Sequence, residues 1–290
     1  MITSNFSKRI AEGVSRRYKR AKRKLVHLNE AKILEALKSC GTFKSDLLFV
    51  HSSLSACGSI DGGPQTVVNA LRSWIGDRPA LAMPTHTWSY PDKTGVAPVY
   101  DYQSTPSVVG TITNFYWRQP GIVRSLHPSH SLACSGPDAE KFLAGHEDFE
   151  TPCGVGTPYS QIAHGNASVL MFGATLESYT LFHTAEDEAE VGYLYAPEQV
   201  TLRTKEKDGS VRSIQMWRQD MSITRNFEAS TDGLVEQGLV VRRKLGLSEL
   251  LFIPDARALH EKMVQTLRKD PLFLVHEKAR PEAQRRLRPA

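Results

Sequence analysis

The chain has 290 residues, 40% of them hydrophobic and 23% charged, with a formal net charge of +5. That length can bury a core in one large domain or two intimate subdomains, and that composition is globular rather than fibrous or disordered. No apolar run approaches the roughly 20 residues that span a bilayer, and the opening MITSNFSKRIAEGVSRRYKR has no apolar leader segment, so no membrane span and a cytoplasmic location are expected.

The charge is uneven. Residues 1–50 hold 12 Lys and Arg against 4 Asp and Glu. The remainder is mildly acidic, with 24 against 27. Residues 1–27 therefore form a basic arm. Tyr18 is the one aromatic in its densest run, RRYKRAKRKL, which leaves little to stack on bases, so no nucleic acid is expected. The four cysteines, Cys40, Cys57, Cys134 and Cys153, show no C-x-x-C spacing and are expected to be free thiols.

In chain order, LNEAKILEALKS (28–39) places its apolar residues on one face and reads as a helix capped by Asn29. SDLLFVH (45–51) reads as a buried strand. A loop rich in Ser and Gly follows, then Pro64 and an amphipathic stretch to Ile75. Strand, Gly/Ser loop and helix together make a recipe for binding an anion, although no Walker or G-x-G-x-x-G spacing is present. ALAMP (80–84) is a second strand that ends in Thr85-His86-Thr87. Residues 110–117 and 137–145 read as short helices, 146–160 as a loop, and 167–173 as a third strand.

The stretch TLFHTAEDEAE (180–190) follows that strand. On a helix, His183 and Glu186 lie three apart on one face. A carboxylate on one ring nitrogen fixes the tautomer and leaves the other nitrogen as a general base near neutral pH. Such a pair is also common as a plain surface contact. Beyond it, 199–204 and 210–216 form a hairpin around Asp208-Gly209. Residues 227–237 read as helical, 239–245 and 247–253 as extended, and 254–269 as an amphipathic helix. The charged tail, 278–290, is expected to be disordered.

VHSSLSACG (50–58), GGPQTVVNAL (62–71), MPTHTW (83–88), STPSVVG (104–110), RQPGIVRSLHPSHSLACSG (118–136), GVGTPY (154–159) and TLFHTAE (180–186) occur in the order seen in a known family. Together with the C-terminal RKLGLSELLFIPDARALHEKMVQTLRKDP, they make the chain similar to the aminoglycoside 3-N-acetyltransferases over roughly residues 30–272. The resemblance implies an α/β fold of the antibiotic acetyltransferase type: a mixed sheet flanked by helices, two interleaved subdomains, and a C-terminal region containing a β-hairpin. It places the catalytic domain at 28–277.

The resemblance also implies acetyl-CoA as cosubstrate and direct transfer to an amine. His183 would be the general base, Glu186 its orienting partner and Thr180 a donor to the developing oxyanion. His51, Ser52, Ser53, Leu54, Ser55, Met83, Pro84, Thr85, Arg124, Ser125, His127, Pro128 and Ser131 would lie along the CoA arm. A cationic acceptor would need carboxylates, and Asp187, Glu190 and Glu177 are the chosen candidates, with Glu150 and Glu188 as further ones. The acceptor is an aminoglycoside or, alternatively, a biosynthetic amino sugar or other small amine.

Three rivals stand beside this reading. Cys57, Cys134 or Cys153 could carry an acyl group. His127, His130, His86 and Glu186 could hold zinc, although their order matches no metal motif and no metal is expected. A binding protein could keep the fold without the chemistry, but would have no need of the His–Glu pair.

Overall fold

The computed structural model describes residues 25–287, so nearly all of the basic arm lies outside the described residues. A two-residue parallel pairing of His27–Leu28 with Ser59–Ile60 ties down the start. Helix α1 (Glu30–Ser39) follows, and the Asn29 side chain accepts from the Lys32 N–H to cap it. Strand β1 (Leu47–Ser52) leads to α2 (Pro64–Ile75), which opens on Pro64, where a missing N–H costs nothing. Next come β2 (Ala80–Pro84), β3 (Val99–Tyr100), α3 (Thr111–Tyr116), β4 (Val123–Arg124), β5 (Leu132–Ser135) and α4 (Ala139–Leu143). Then follow α5 (Pro158–His164), β6 (Ala167–Phe172), α6 (Leu181–Glu188), β7 (Tyr195–Lys205) and β8 (Val211–Gln219). The chain finishes with α7 (Thr231–Glu236), β9 (Val241–Leu245), β10 (Ser248–Ile253), α8 (Ala256–Lys269) and α9 (Arg280–Arg286).

Seven strands form one mixed sheet in the order β9-β10-β6-β1-β2-β5-β4. The central three, β6, β1 and β2, are parallel, with Leu47–Ser52 in register with Ala167–Phe172. The outer pairings are antiparallel. A second sheet, β8-β7-β3, is the expected hairpin with one short strand added in parallel.

The central strands are apolar on both faces because helices cover both. Alternate residues sort the core into two halves. Phe49, Val169 and Met171 pack with Ile162 of α5, Phe182 of α6 and Leu259 of α8. Leu48, Val50, Leu170 and Phe172 pack with Leu37 of α1, Leu71 of α2 and Tyr116 of α3. Each of these side chains is essentially solvent-free, so truncating one such leucine to alanine would cost roughly 2–5 kcal/mol. Among the described residues, no helix is long and apolar enough to cross a membrane.

Two expectations need correction. The loop expected at 146–160 gives way to α5 at Pro158, where the Thr157 hydroxyl accepts from the Ser160 N–H and proline takes the first helical position. The tail expected to be disordered is ordered as far as 287 and contains α9. Ala283 is buried against the core and Arg286 pairs with Asp220 and Glu282. Arg286 is therefore partnered, while Lys278 and Arg280 stay exposed.

Candidate active site

The carboxyl ends of the parallel strands open onto a cavity of about 1020 Å³. His51 and Ser52 end β1, Pro84 ends β2 and Gly173 follows β6, and all four line it. Open α/β sheets gather ligands at this edge. Gly173 has φ +66°, and a Cβ there would overlap the Cys57 sulfur and lie 2.9 Å from the Ser53 carbonyl oxygen. Glycine thus lets the chain pass beside the hydroxyl loop on its way into α6.

On α6, His183 Nδ1 donates to Glu186 Oε2 at 2.7 Å. A carboxylate only accepts, so Nδ1 carries the hydrogen and Nε2 keeps its lone pair. The His183 ring lines the cavity and packs edge-on against Phe227, with centroids 5.1 Å apart. Glu186 has no exposed surface, and a lone carboxylate in such a place would take up a proton. Its other oxygen accepts from Arg225 Nε at 3.1 Å. Arg225 in turn donates to the Asp220 and Ile223 carbonyls, both at 2.6 Å, and lies over the Tyr193 ring. Burial pushes the Glu186 carboxyl up, but Arg225 and His183 outweigh it and hold the carboxyl below its ordinary value. Glu186 is therefore held ionised against the Arg225 guanidinium. Thr180 precedes α6, lines the cavity and makes no side-chain capping bond, which leaves its hydroxyl for a ligand.

Of the expected CoA contacts, His51, Ser52, Ser53 and Pro84 line the cavity. His51 Nε2 and Ser52 Oγ are buried without a hydrogen-bond partner, as is the hydroxyl of Tyr179, another lining residue. Burial pushes His51 down to about 3, so its imidazole is neutral. Three residues of the cavity lining thus carry a buried polar atom without a partner, which is costly wherever it occurs.

The other expected contacts do not line the cavity. Leu54 packs into the core and Ser55 faces solvent. Met83 is core, and Thr85 and Ser131 bond each other behind β2. Arg124 points inward, where it donates to the Thr85 carbonyl at 3.0 Å and the Thr105 carbonyl at 2.6 Å, and it lies over Trp117. Its guanidinium braces loops and has no free edge for a phosphate. The Ser125 hydroxyl donates or accepts within a buried set with Leu132 N and His146. His127 Nδ1 accepts from the His130 N–H, and the Pro128 carbonyl accepts from Thr87.

The carboxylates are also dispersed. Glu177 lines the cavity. Asp187 instead accepts from the Tyr195 hydroxyl and the Val155 N–H, which locks the glycine turn before α5. Glu190 is exposed past the end of α6, in a left-handed conformation with φ +54°. Glu150 accepts from Gln199. Glu188 accepts from His260 at 2.7 Å and pairs with His164 at 3.0 Å, on the side of α6 away from Glu186. These three are the one group among the described residues whose ligand atoms converge as a metal site would need. The set His127, His130, His86 and Glu186 does not converge. Its histidines bond to Ser129, Tyr159 and the backbone, and burial drives all three well below the ordinary imidazole value. The acyl-cysteine rival fares no better. Cys57, Cys134 and Cys153 are buried, and burial raises each thiol, to about 12 for the first two.

Several lining residues escaped the sequence reading, namely Trp88, Tyr90, Arg218, Met221 and Arg225, while His86 and His130 entered it as zinc candidates alone. Trp88 and His86 sit in the MPTHTW stretch, so a motif pointed at them. Arg225 carried no local signal, because it reaches Glu186 from 39 residues away.

Residues 49–268 match the family model described as aminoglycoside 3-N-acetyltransferase. Aminoglycoside N(3)-acetyltransferase III from Salmonella sp is 33% identical over 57% of this chain and 62% of its own length. The chain thus spans less than two thirds of that relative. Aminoglycoside N(3)-acetyltransferase IV, also from Salmonella sp, is 27% identical over 85% of this chain and 90% of its own. Among solved structures, the aminoglycoside acetyltransferase AAC(3)-IVa in complex with a gentamicin superposes with a TM-score of 0.73 at 26% identity, covering 89% of this chain and 94% of that one. AAC-IIIb, solved with CoASH, shares the fold with a TM-score of 0.68 at 23% identity over 84% of this chain and 97% of that one.

Proposed function

The chain belongs to the aminoglycoside 3-N-acetyltransferase family, and on that premise we propose that it transfers acetyl from acetyl-CoA directly to an amine, within residues 28–277. The observation that carries this reading is the Arg225–Glu186–His183 relay, which ends on an imidazole facing a cavity. An ammonium group has no lone pair and must lose a proton before it can attack a thioester. Solvent takes that first proton before the amine attacks, and Nε2 of His183 takes a second proton from the nitrogen as the nitrogen–carbon bond forms, which leaves a neutral amide nitrogen. Glu186 stabilises the imidazolium, and Arg225 keeps the buried Glu186 ionised. The thioester oxygen gains charge as the tetrahedral centre forms. The Thr180 hydroxyl is the donor proposed for it, and one such donor is worth roughly 2.7–4 kcal/mol. Collapse then expels the CoA thiolate.

Acetyl-CoA would be held by His51, Ser52 and Ser53, which line the cavity where β1 ends. The CoASH-bound relative supports the same cosubstrate. No metal is assigned a part in the step. Release of free thiol on mixing purified protein, acetyl-CoA and amines tests the reading. Turnover should need an unprotonated His183 side chain, and thiol release that persists undiminished in His183→Ala would refute the assigned base.

For the acceptor, an aminoglycoside is the reading favoured by kinship. A small amine that is not an antibiotic is favoured by the dispersal of Asp187, Glu188 and Glu190 away from the cavity.

A further inference from the structure

The second sheet and the loop after β2 build one wall of the cavity, and its chemistry is unlike that of a polycation site. Among the described residues, Glu177 is the one carboxylate on the cavity lining. The nearby acids have other work. Asp187 holds Tyr195, Asp220 holds Arg286 and Ser222, and Glu228 accepts from the Leu176 N–H. Glu186 is spent on Arg225. Residues 1–24 contain a single acid, Glu12.

The wall instead presents a cation and apolar surface. Arg218 lines it, lies 5.8 Å from the Tyr90 ring centroid, and forms no ion pair among the described residues. Met221 is 78% exposed and Trp88 53% exposed at the same cavity. Trp88 also has φ +46°, a conformation bulky residues avoid, and it is pinned there by bonds on both sides, Trp88 N–H to the Ser129 carbonyl and Tyr90 N–H to the Trp88 carbonyl. Strain of this kind persists where surrounding structure imposes it, commonly at a ligand clamp.

We propose that this wall is the acceptor subsite, and that it selects an amine with a planar or apolar body and an anionic group over a polycation. The inference rests on the acetyl-transfer reading above. The ring of such an acceptor lies against Trp88 and Met221, its anion pairs with Arg218, and its amine reaches His183. A drug bearing several ammonium groups would meet Arg218 as a like charge with Glu177 alone to offset it, which raises its binding cost.

The test compares thiol release with gentamicin, phenylethylamine, phenylalanine and a uridine-diphosphate amino sugar, for the full chain and for Arg218→Glu and Trp88→Ala. In the unaltered protein an anionic probe should lead gentamicin in kcat/KM by about tenfold or more. Arg218→Glu should reverse that order while the KM for acetyl-CoA stays unchanged. Trp88→Ala should raise the acceptor KM with kcat retained. Gentamicin leading in the unaltered protein would overturn the inference and leave acetyl transfer standing. An Arg218→Glu effect confined to the KM of acetyl-CoA would also overturn it, by assigning the guanidinium to the CoA phosphates. Thiol release with none of the four amines would overturn acetyl transfer itself, and this inference with it.

Discussion

Helix α6 carries two carboxylates that contact histidines on opposite sides, and their surroundings differ. Glu186 and Glu188 are two residues apart, so their side chains leave the helix in nearly opposite directions. On the front, Glu186 is sealed from water, backed by Arg225, and holds an imidazole whose other nitrogen is free beside a cavity. On the back, Glu188 is shared by two imidazoles, His260 and His164, and neither lines the cavity. His260 Nδ1 is itself buried without a partner. The front pair is placed to pass on a proton, as proposed above, and the back contacts tie α6 to α5 and α8. What separates a base from a brace is therefore the surroundings of the far nitrogen and the charge behind the carboxylate.

The largest expected contrast is His183→Ala on the front. Its kcat should fall by about 10²–10⁴-fold, with acetyl-CoA affinity by calorimetry unaltered. Equal loss of affinity would make His183 a binding residue and erase the distinction. Next, Arg225→Met strands Glu186 as a buried charge and should cost roughly 3–5 kcal/mol in denaturant unfolding. The same relay has a pH signature. The Glu186 carboxyl is held below its ordinary value, so its stabilisation is complete above the ordinary carboxylate range and disappears as pH falls through the depressed value. Arg225→Met should remove that component.

A third region sharpens the contrast, since His146 is sealed behind the site with its pKa driven by burial from 6.5 to about 3. The unfolded chain binds that proton and the folded one does not, so this contribution is complete above pH 6.5 and is lost as pH falls from there toward 3. His146→Phe should flatten the pH dependence of unfolding in that window by about 1.36 kcal/mol per pH unit. The smallest effect belongs to the back of α6. Glu188→Gln keeps an acceptor for His260 and should lower stability by about 1 kcal/mol or less, with kcat/KM unchanged. A kinetic defect there would mean that the two sides of the helix are not separate.

The sequence was most informative where chemistry is local. Three-residue spacing is enough to join His183 and Glu186, and strand-end position is enough to bring His51, Ser52 and Pro84 to the cavity. It was weakest where a side chain has a choice of directions. Arg124 sits in a two-residue strand, and nothing local says that its guanidinium turns inward to the Thr85 and Thr105 carbonyls. Asp187 shares an acidic run with Glu188 and Glu190, yet each of the three meets a different environment because a helix fans them out. Helix α5 had a usable sign in Thr157-Pro158, an N-cap followed by a first-turn proline, which the neighbouring glycines obscured. Arg225 was illegible for a different reason. Its partner is distant in sequence, and only the folded path of the chain after β8 brings the two together.

The ordered tail has a bearing on handling the protein. Arg286 grips Asp220, the Asp220 carbonyl grips Arg225, Arg225 grips Glu186, and Glu186 grips His183. Four hand-offs link the segment 280–286 to the proposed base. A protease that clips ahead of α9, or a fusion joint placed there, would loosen the alignment of His183 while leaving the sheet intact. Protein so trimmed would look folded by bulk spectroscopy and underperform in the proposed turnover, so the integrity of this short segment is a quality control for every kinetic comparison made on the protein.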